Sequence, residues 1–158
     1  MREPAHVITF AIAGPPRGKQ RARTGKGFAF TPAKTVMYEN YVKMQWNLAA
    51  PRKWIPWVGP VAIQIVAGFP IAPSWPRWRR DAALAGVLLP LSTPDYDNIE
   101  KIITDALNGI AFHDDAQIVH AQIDTRYSDA PKTVVVLEFY DALTRKMWEE
   151  MKRDNTVV

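Results

Sequence analysis

The chain has no cysteine, which excludes disulfide frameworks and thiolate metal sites and leaves no requirement for an oxidising compartment. Long apolar runs are also missing. The segment from Met1 to Phe10 carries Arg2, Glu3 and His6 ahead of a short hydrophobic stretch, too short and too broken for a signal peptide or a membrane span. The expectation is a cytoplasmic protein without a membrane partner or an organic cofactor. Histidine is scarce. His6 and His120 have no partner at a metal-binding spacing, so zinc is not expected. There is neither an internal repeat nor a low-complexity tract.

At 158 residues and 47% hydrophobic, the chain suits one domain, residues 1–158, with a real core. The formal net charge of +4 conceals an uneven distribution. Arg17, Lys19, Arg21, Arg23, Lys26, Lys34, Lys43, Arg52 and Lys53 are opposed only by Glu39, and Arg77, Arg79 and Arg80 form a second basic cluster. Acidic residues gather between Asp95 and Asp129. A basic half beside an acidic centre suits a polyanion gripped by one region and processed by the other. Lysines and arginines that merely solvate the surface are the plainer alternative.

Residues 6–13 read as a strand ended by Gly14-Pro15-Pro16, and 17–30, aperiodic with three glycines, as a mobile loop. Thr31-Pro32 resembles a helix start, with a helix over 32–50 and a buried stripe of Val36, Tyr41, Met44 and Leu48. Residues 61–69 predict a central strand. The Trp-, Pro- and Arg-rich stretch around 70–93 reads as an insertion, with room for a helical turn. Asp97 or Asn98 can cap a helix to Leu107, with Ile99, Ile102, Ile103, Ala106 and Leu107 inward and Asn108-Gly109 as its stop. Residues 116–127 and 132–140 read as an antiparallel hairpin joined by 128–131. Asp141 would cap a final helix with Leu143, Met147 and Met151 on one face. The class is α+β: a small mixed sheet of about four strands with two to three helices, in β-α-β-α-β-β-α order.

The chemistry concentrates at Thr93-Pro94-Asp95-Tyr96-Asp97-Asn98. Proline favours extended geometry before it, and in an extended segment residues two apart share a face. Asp95 and Asp97 would project together, with Tyr96 turned toward the core. Carboxylates about 4 Å apart repel by about 4 kcal/mol at an effective dielectric of 20, so holding them requires a cation. Oxygen ligands with open positions favour Mg²⁺. Lys101 follows one turn on and can lean over the same site, where it would hold a phosphate. Asp114 and Asp115 approach from the next element. Spacing alone does not separate this reading from capping residues and a solvated acidic turn. Asp105 reads as a helix-face acid, and His113 as a loop histidine rather than a proton shuttle.

Pro94-Asp95-Tyr96-Asp97-Asn98, then Lys101, then Asp105-Ala106-Leu107-Asn108-Gly109 and Asp114-Asp115-Ala116-Gln117-Ile118, together resemble the signature of the RusA family of Holliday junction resolvases. Arg17-Gly18-Lys19-Gln20-Arg21-Ala22-Arg23 resembles the basic loop after that family's first strand. The resemblance implies that Asp95, Asp97 and Asp115 hold a metal, Mg²⁺ or alternatively Mn²⁺, with Asp114 competing with Asp115, and that Lys101 is catalytic. It further implies a homodimer that makes paired nicks in opposing strands of branched DNA, in recombination and repair. Arg17, Lys19, Arg21 and Arg23 would grip the DNA backbone. Thr93 replaces a lysine that many relatives carry, and the 71–89 stretch is longer than in compact members. Trp54, Trp57, Trp75 and Trp78 lie beside arginines, where they could stack on unpaired bases or simply pack. The rival readings are a broader nuclease of flaps and forks, and a non-catalytic basic DNA-binding module.

Overall fold

Alternation predicts that the first strand buries every second residue. In the computed structural model, which describes residues 2–25 and 27–154, β1 (His6–Ala13) does so with Ile8, Phe10 and Ile12. Residues 17–30 are not structureless. They hold a small antiparallel ribbon of β2 (Arg23–Gly25) and β3 (Phe28–Phe30), with Gly27 at φ 87° in its turn, a region open to glycine.

Helix α1 (Ala33–Ala49) starts behind Pro32 as expected but turns a different face inward. Thr35, Val42 and Trp46 are buried, with Tyr38 and Tyr41 packed against the core, while Val36, Met44 and Leu48 are exposed. The bulkiest side chain decides the rotation. Trp46 meets Phe10 and Trp54 edge-on at 6.3 and 5.7 Å and Phe139 at 6.0 Å, and burying an indole outweighs exposing a leucine and a methionine.

β4 (Val61–Pro70) is the central strand its apolar run predicts. The insertion after it carries a full helix, α2 (Arg77–Leu84), rather than one turn. Helix α3 (Tyr96–Leu107) buries the five expected residues, and Gly109, at φ 77°, follows its end. It begins earlier than expected, with Asp95 rather than Asp97 or Asn98 at the cap. A 3₁₀ turn, Asp115–Gln117, leads into β5 (Ile118–Ser128), followed by β6 (Lys132–Phe139) and α4 (Arg145–Arg153). Thr144, not Asp141, caps α4, its hydroxyl accepting from the Met147 N–H at 3.2 Å. The described residues thus hold four helices, and none is long and apolar enough to cross a membrane.

The sheet order is β1-β6-β4-β5, and here the expected hairpin fails. β5 and β6 are consecutive in the chain but lie on opposite sides of β4, which β5 joins in parallel and β6 antiparallel. The short link between them crosses the end of β4. Gly68 makes that passage possible, because a Cβ there would stand 3.0 Å from the Lys132 carbonyl oxygen and 3.2 Å from Ser128 Cβ. The parallel β4–β5 pair requires a crossover, and α3 lies within it. Helices α1 and α3 pack together, and their inward residues share one core with Ile63, Ile65, Val135, Leu137 and Phe139 of the sheet.

Candidate active site

Thr93-Pro94 delivers the chain to α3, where Asp95 is still extended (φ −69°, ψ 157°) and its carbonyl accepts the Ile99 N–H at 3.0 Å. Its carboxylate makes no capping bond. Asp97 sits in the first helical turn, where the helix dipole favours a negative charge. The two aspartates border a common cleft of about 390 Å³. They reach it from a cap and a helical turn, not as an extended pair, and Tyr96 between them is 69% exposed instead of core-facing.

One turn after Asp97, Lys101 lies on the same wall of a second cleft of about 480 Å³, with Glu100 and Asp105. Asp115 and the first residues of β5 form the opposite wall. Asp97, Lys101 and Asp115 therefore face one open space, and Asp95 stands at its shoulder. Among the described residues, no three acidic or histidine side chains come close enough together to enclose a cation. The carboxylates are spread along the cleft.

The Asp115 wall is held by a capping box. The Gln117 amide oxygen accepts the Asp114 N–H at 2.9 Å, and its amide nitrogen donates to the carbonyls of Trp57 and Gly59 at 2.7 and 2.9 Å. Asp114 Oδ1 accepts the Ala116 N–H at 3.5 Å. The hydrogen bond with Asp114 raises the Asp115 carboxyl above its ordinary value, helped by slight desolvation and by the charges of Asp114 and Asp105. Negative charge is in excess here, the condition that a bound cation relieves.

The basic loop lies directly on the aspartate motif. The Lys19 N–H donates to the Asn98 carbonyl at 2.9 Å, and a Cβ on Gly18 would come within 2.8 Å of Pro94 Cβ and 3.0 Å of Asn98 Cβ. Arg17 and Asp95 border one further cleft, again about 480 Å³. Arg17 and Arg21 are exposed, whereas the side chain of Arg23 falls outside the described residues. Lys19, expected among the backbone grips, is turned toward two carboxylates. Its ammonium is paired with Glu39 of α1 and, at 3.1 Å, with Asp105 of α3. Burial works to lower the Lys19 pKa, but the hydrogen bonds and charges of Glu39 and Asp105 prevail and raise it. Glu39 is a site residue whose signal is present in the sequence, as the lone acid in a basic segment. Gln117 has one too, in the Asp-x-x-Gln capping pattern.

The tryptophans divide. Trp54 and Trp57 pack against Phe139 at 4.9 and 5.9 Å, with their indole N–H groups bonded to the Ala111 and Tyr140 carbonyls. They are structural. His113 is exposed in the loop before Asp114.

Among known proteins, the sequence model described as endodeoxyribonuclease RusA matches residues 13–138, which span the basic loop, the aspartate motif and the Asp114-Asp115 turn. The chain is also 31% identical over 136 residues to a Bacillus subtilis (strain 168) protein described as uncharacterized protein YqaN, covering 82% of this chain and 94% of that protein.

Proposed function

The chain belongs to the RusA endodeoxyribonuclease family, and from that premise we propose that it is a Mg²⁺-dependent resolvase of four-way DNA junctions. Acting as a homodimer, it makes paired nicks in opposing strands. The observation that carries this reading is the cleft shared by Asp97, Lys101 and Asp115, bordered at its shoulder by Asp95 and the Arg17 loop.

The donors suit the metal in kind, since all are carboxylate oxygens. Mg²⁺ keeps several waters and takes only one or two carboxylates alongside substrate phosphates, so carboxylates strung along an open cleft fit it better than a closed cage would. Asp95, Asp97 and Asp115 would hold it, with Asp114 next in line. A bound Mg²⁺ supplies an acidified water and neutralises charge on the phosphate. Lys101 offers a fixed positive charge from the same wall, where it stabilises the charge that develops on the scissile phosphate. Arg17 and Arg21 hold the flanking backbone, which makes affinity strongly salt-dependent. Twofold symmetry of the junction calls for two sites, and a C2 dimer supplies them.

The test is cleavage of four-way, three-way and linear duplex DNA with mapped nick positions, with and without Mg²⁺. Symmetric nicks in the four-way junction that need Mg²⁺ and vanish in Asp97→Asn are expected. Wild-type cleavage by Asp97→Asn would refute the site assignment. Equal cutting of flaps and forks would replace the reading with a broader nuclease, and salt-sensitive binding without product would leave a DNA-binding module.

A further inference from the structure

Trp78 is set apart from the other tryptophans. Trp46 is in the core, Trp54 and Trp57 are bonded through their indoles, Trp75 lies edge-on to Tyr127 at 5.1 Å, and Trp148 has Lys152 over its ring. Trp78 is 70% exposed on α2 and has no such partner among the described residues. An indole left in water forgoes the burial that usually fixes a tryptophan's place.

The helix that presents it is anchored. Ala83 is buried, α2 packs on β5, and Arg79 lies over the Trp75 ring at 4.1 Å. With Arg79 committed, Arg77 and Arg80 remain exposed, one helical turn apart on the face next to Trp78. Asp81 approaches Arg77 only at 4.0 Å with both side chains well exposed, a pair of little strength. Leu91, 98% exposed, and Tyr96, 69% exposed, border the cleft of Asp95 and Asp97, and Trp75, under Arg79, lines a neighbouring cleft together with Pro94. An exposed aromatic face beside two cations, one cleft away from the aspartate motif, is the complement of a nucleotide whose base is out of the stack.

We propose that α2 is a branch-sensing arm: Trp78 stacks on a nucleobase unstacked at the branch, and Arg77 and Arg80 take the adjoining phosphates. The inference rests on the nuclease reading and adds to it the element that separates branched from linear DNA. Charge argues against a second copy of the chain as occupant, because an isologous contact around a twofold axis sets the patch against itself and brings arginines together.

The experiment uses the full chain carrying Asp97→Asn, which blocks cutting, and compares it with the same chain also carrying Trp78→Ala or Trp78→Phe. The probes are a four-way junction with 2-aminopurine at the branch and a linear duplex of the same length, titrated at one salt concentration. Trp78→Ala should weaken junction binding by about ten-fold, leave duplex binding within about two-fold, and abolish quenching of the probe, as loss of one base–aromatic stack requires. Trp78→Phe should restore most of both. Arg77→Gln and Arg80→Gln should each lower the salt slope by about 0.9. Unchanged junction affinity and quenching in Trp78→Ala would overturn the arm while leaving the nuclease reading standing. So would a fall in sedimentation mass without any junction-specific loss, which would mark α2 as a contact between copies. A parent chain that binds the junction no better than the duplex would sink the resolvase reading, and the arm with it.

Discussion

Replacing Lys19 by methionine removes a charge from between two carboxylates while keeping most of the side chain's volume. Lys19, Glu39 and Asp105 are 20%, 16% and 32% exposed, between the exposed pairs worth about 0–1 kcal/mol and the buried charged hydrogen bonds worth about 1.5–3 kcal/mol. A loss of about 2 kcal/mol is expected, which in a domain of this size lowers the melting temperature by about 4–8 °C. The pH dependence follows from the raised Lys19 pKa. A lysine whose folded pKa exceeds its unfolded value contributes fully below the unfolded value and loses that contribution as pH rises through the folded one. The difference between wild type and variant should therefore be constant near neutrality and shrink only above the ordinary value of 10.5. Without the clamp the loop slides over Asn98, and a displacement of about 1 Å near the chemistry costs up to about a hundred-fold in rate. Cleavage should fall by about ten- to a hundred-fold, while the salt slope of DNA binding stays where it was, because Lys19 is occupied by carboxylates. Thermal denaturation by circular dichroism and a salt titration of junction binding read these effects separately. A slope reduced by about 0.9 with an unchanged melting temperature would show Lys19 to be a phosphate contact and refute the clamp.

Three further substitutions test the neighbouring supports. Gly18→Ala places a methyl group 2.8 Å from Pro94 Cβ, so the loop or the aspartate motif must shift; cleavage should drop by about ten-fold or more, and wild-type turnover would show that the loop has slack. Gln117→Leu leaves the Gly59 carbonyl without its donor, the Trp57 carbonyl with only the His113 N–H at 3.3 Å, and the Asp114 N–H without its acceptor; urea unfolding should report a loss of about 1–3 kcal/mol, and an unchanged midpoint would discount the capping box. Asp114→Asn removes the chief cause of the raised Asp115 pKa. A raised carboxyl favours the fold at low pH and loses that advantage as pH climbs through its folded value, so the variant should melt higher than wild type at pH 7 and no higher at pH 3.

What the sequence discloses and what it hides follow from the range of the interactions. The apolar buried face of helix α3 was readable, though not the buried Thr104 beside it, because Ile99, Ile102, Ile103, Ala106 and Leu107 follow one helical period, a local property. The clustering of Asp97, Lys101 and Asp115 was readable because two of them share a helix and the third follows its stop. The buried face of α1 was not, since Val36, Met44 and Leu48 fit a helical stripe as well as Thr35, Val42 and Trp46 do, and only the distant Phe10, Trp54 and Phe139 break the tie. The neighbours of β5 were hidden for the same reason. A short polar link between two strands has the look of a hairpin turn, and nothing within residues 118–139 announces that β4 lies between. The role of Lys19 turned on Glu39 and Asp105, which come from two other elements.

The place of β6 between β1 and β4 also sets the order in which the molecule can be made. Among the described residues β1 pairs with β6 alone, and β4 pairs with β5 and β6, so β1 has no partner in the sheet until β6 has been synthesised. At about 5–20 residues per second the nascent chain spends several seconds with Ile8, Phe10 and Ile12 unburied. Contacts of such long sequence separation also slow folding in free solution. A chain cut short before β6 would thus carry every residue of the Asp97–Lys101–Asp115 cleft and still lack the strand that joins the two halves of its sheet. Nuclease chemistry would be withheld until β6 has left the ribosome.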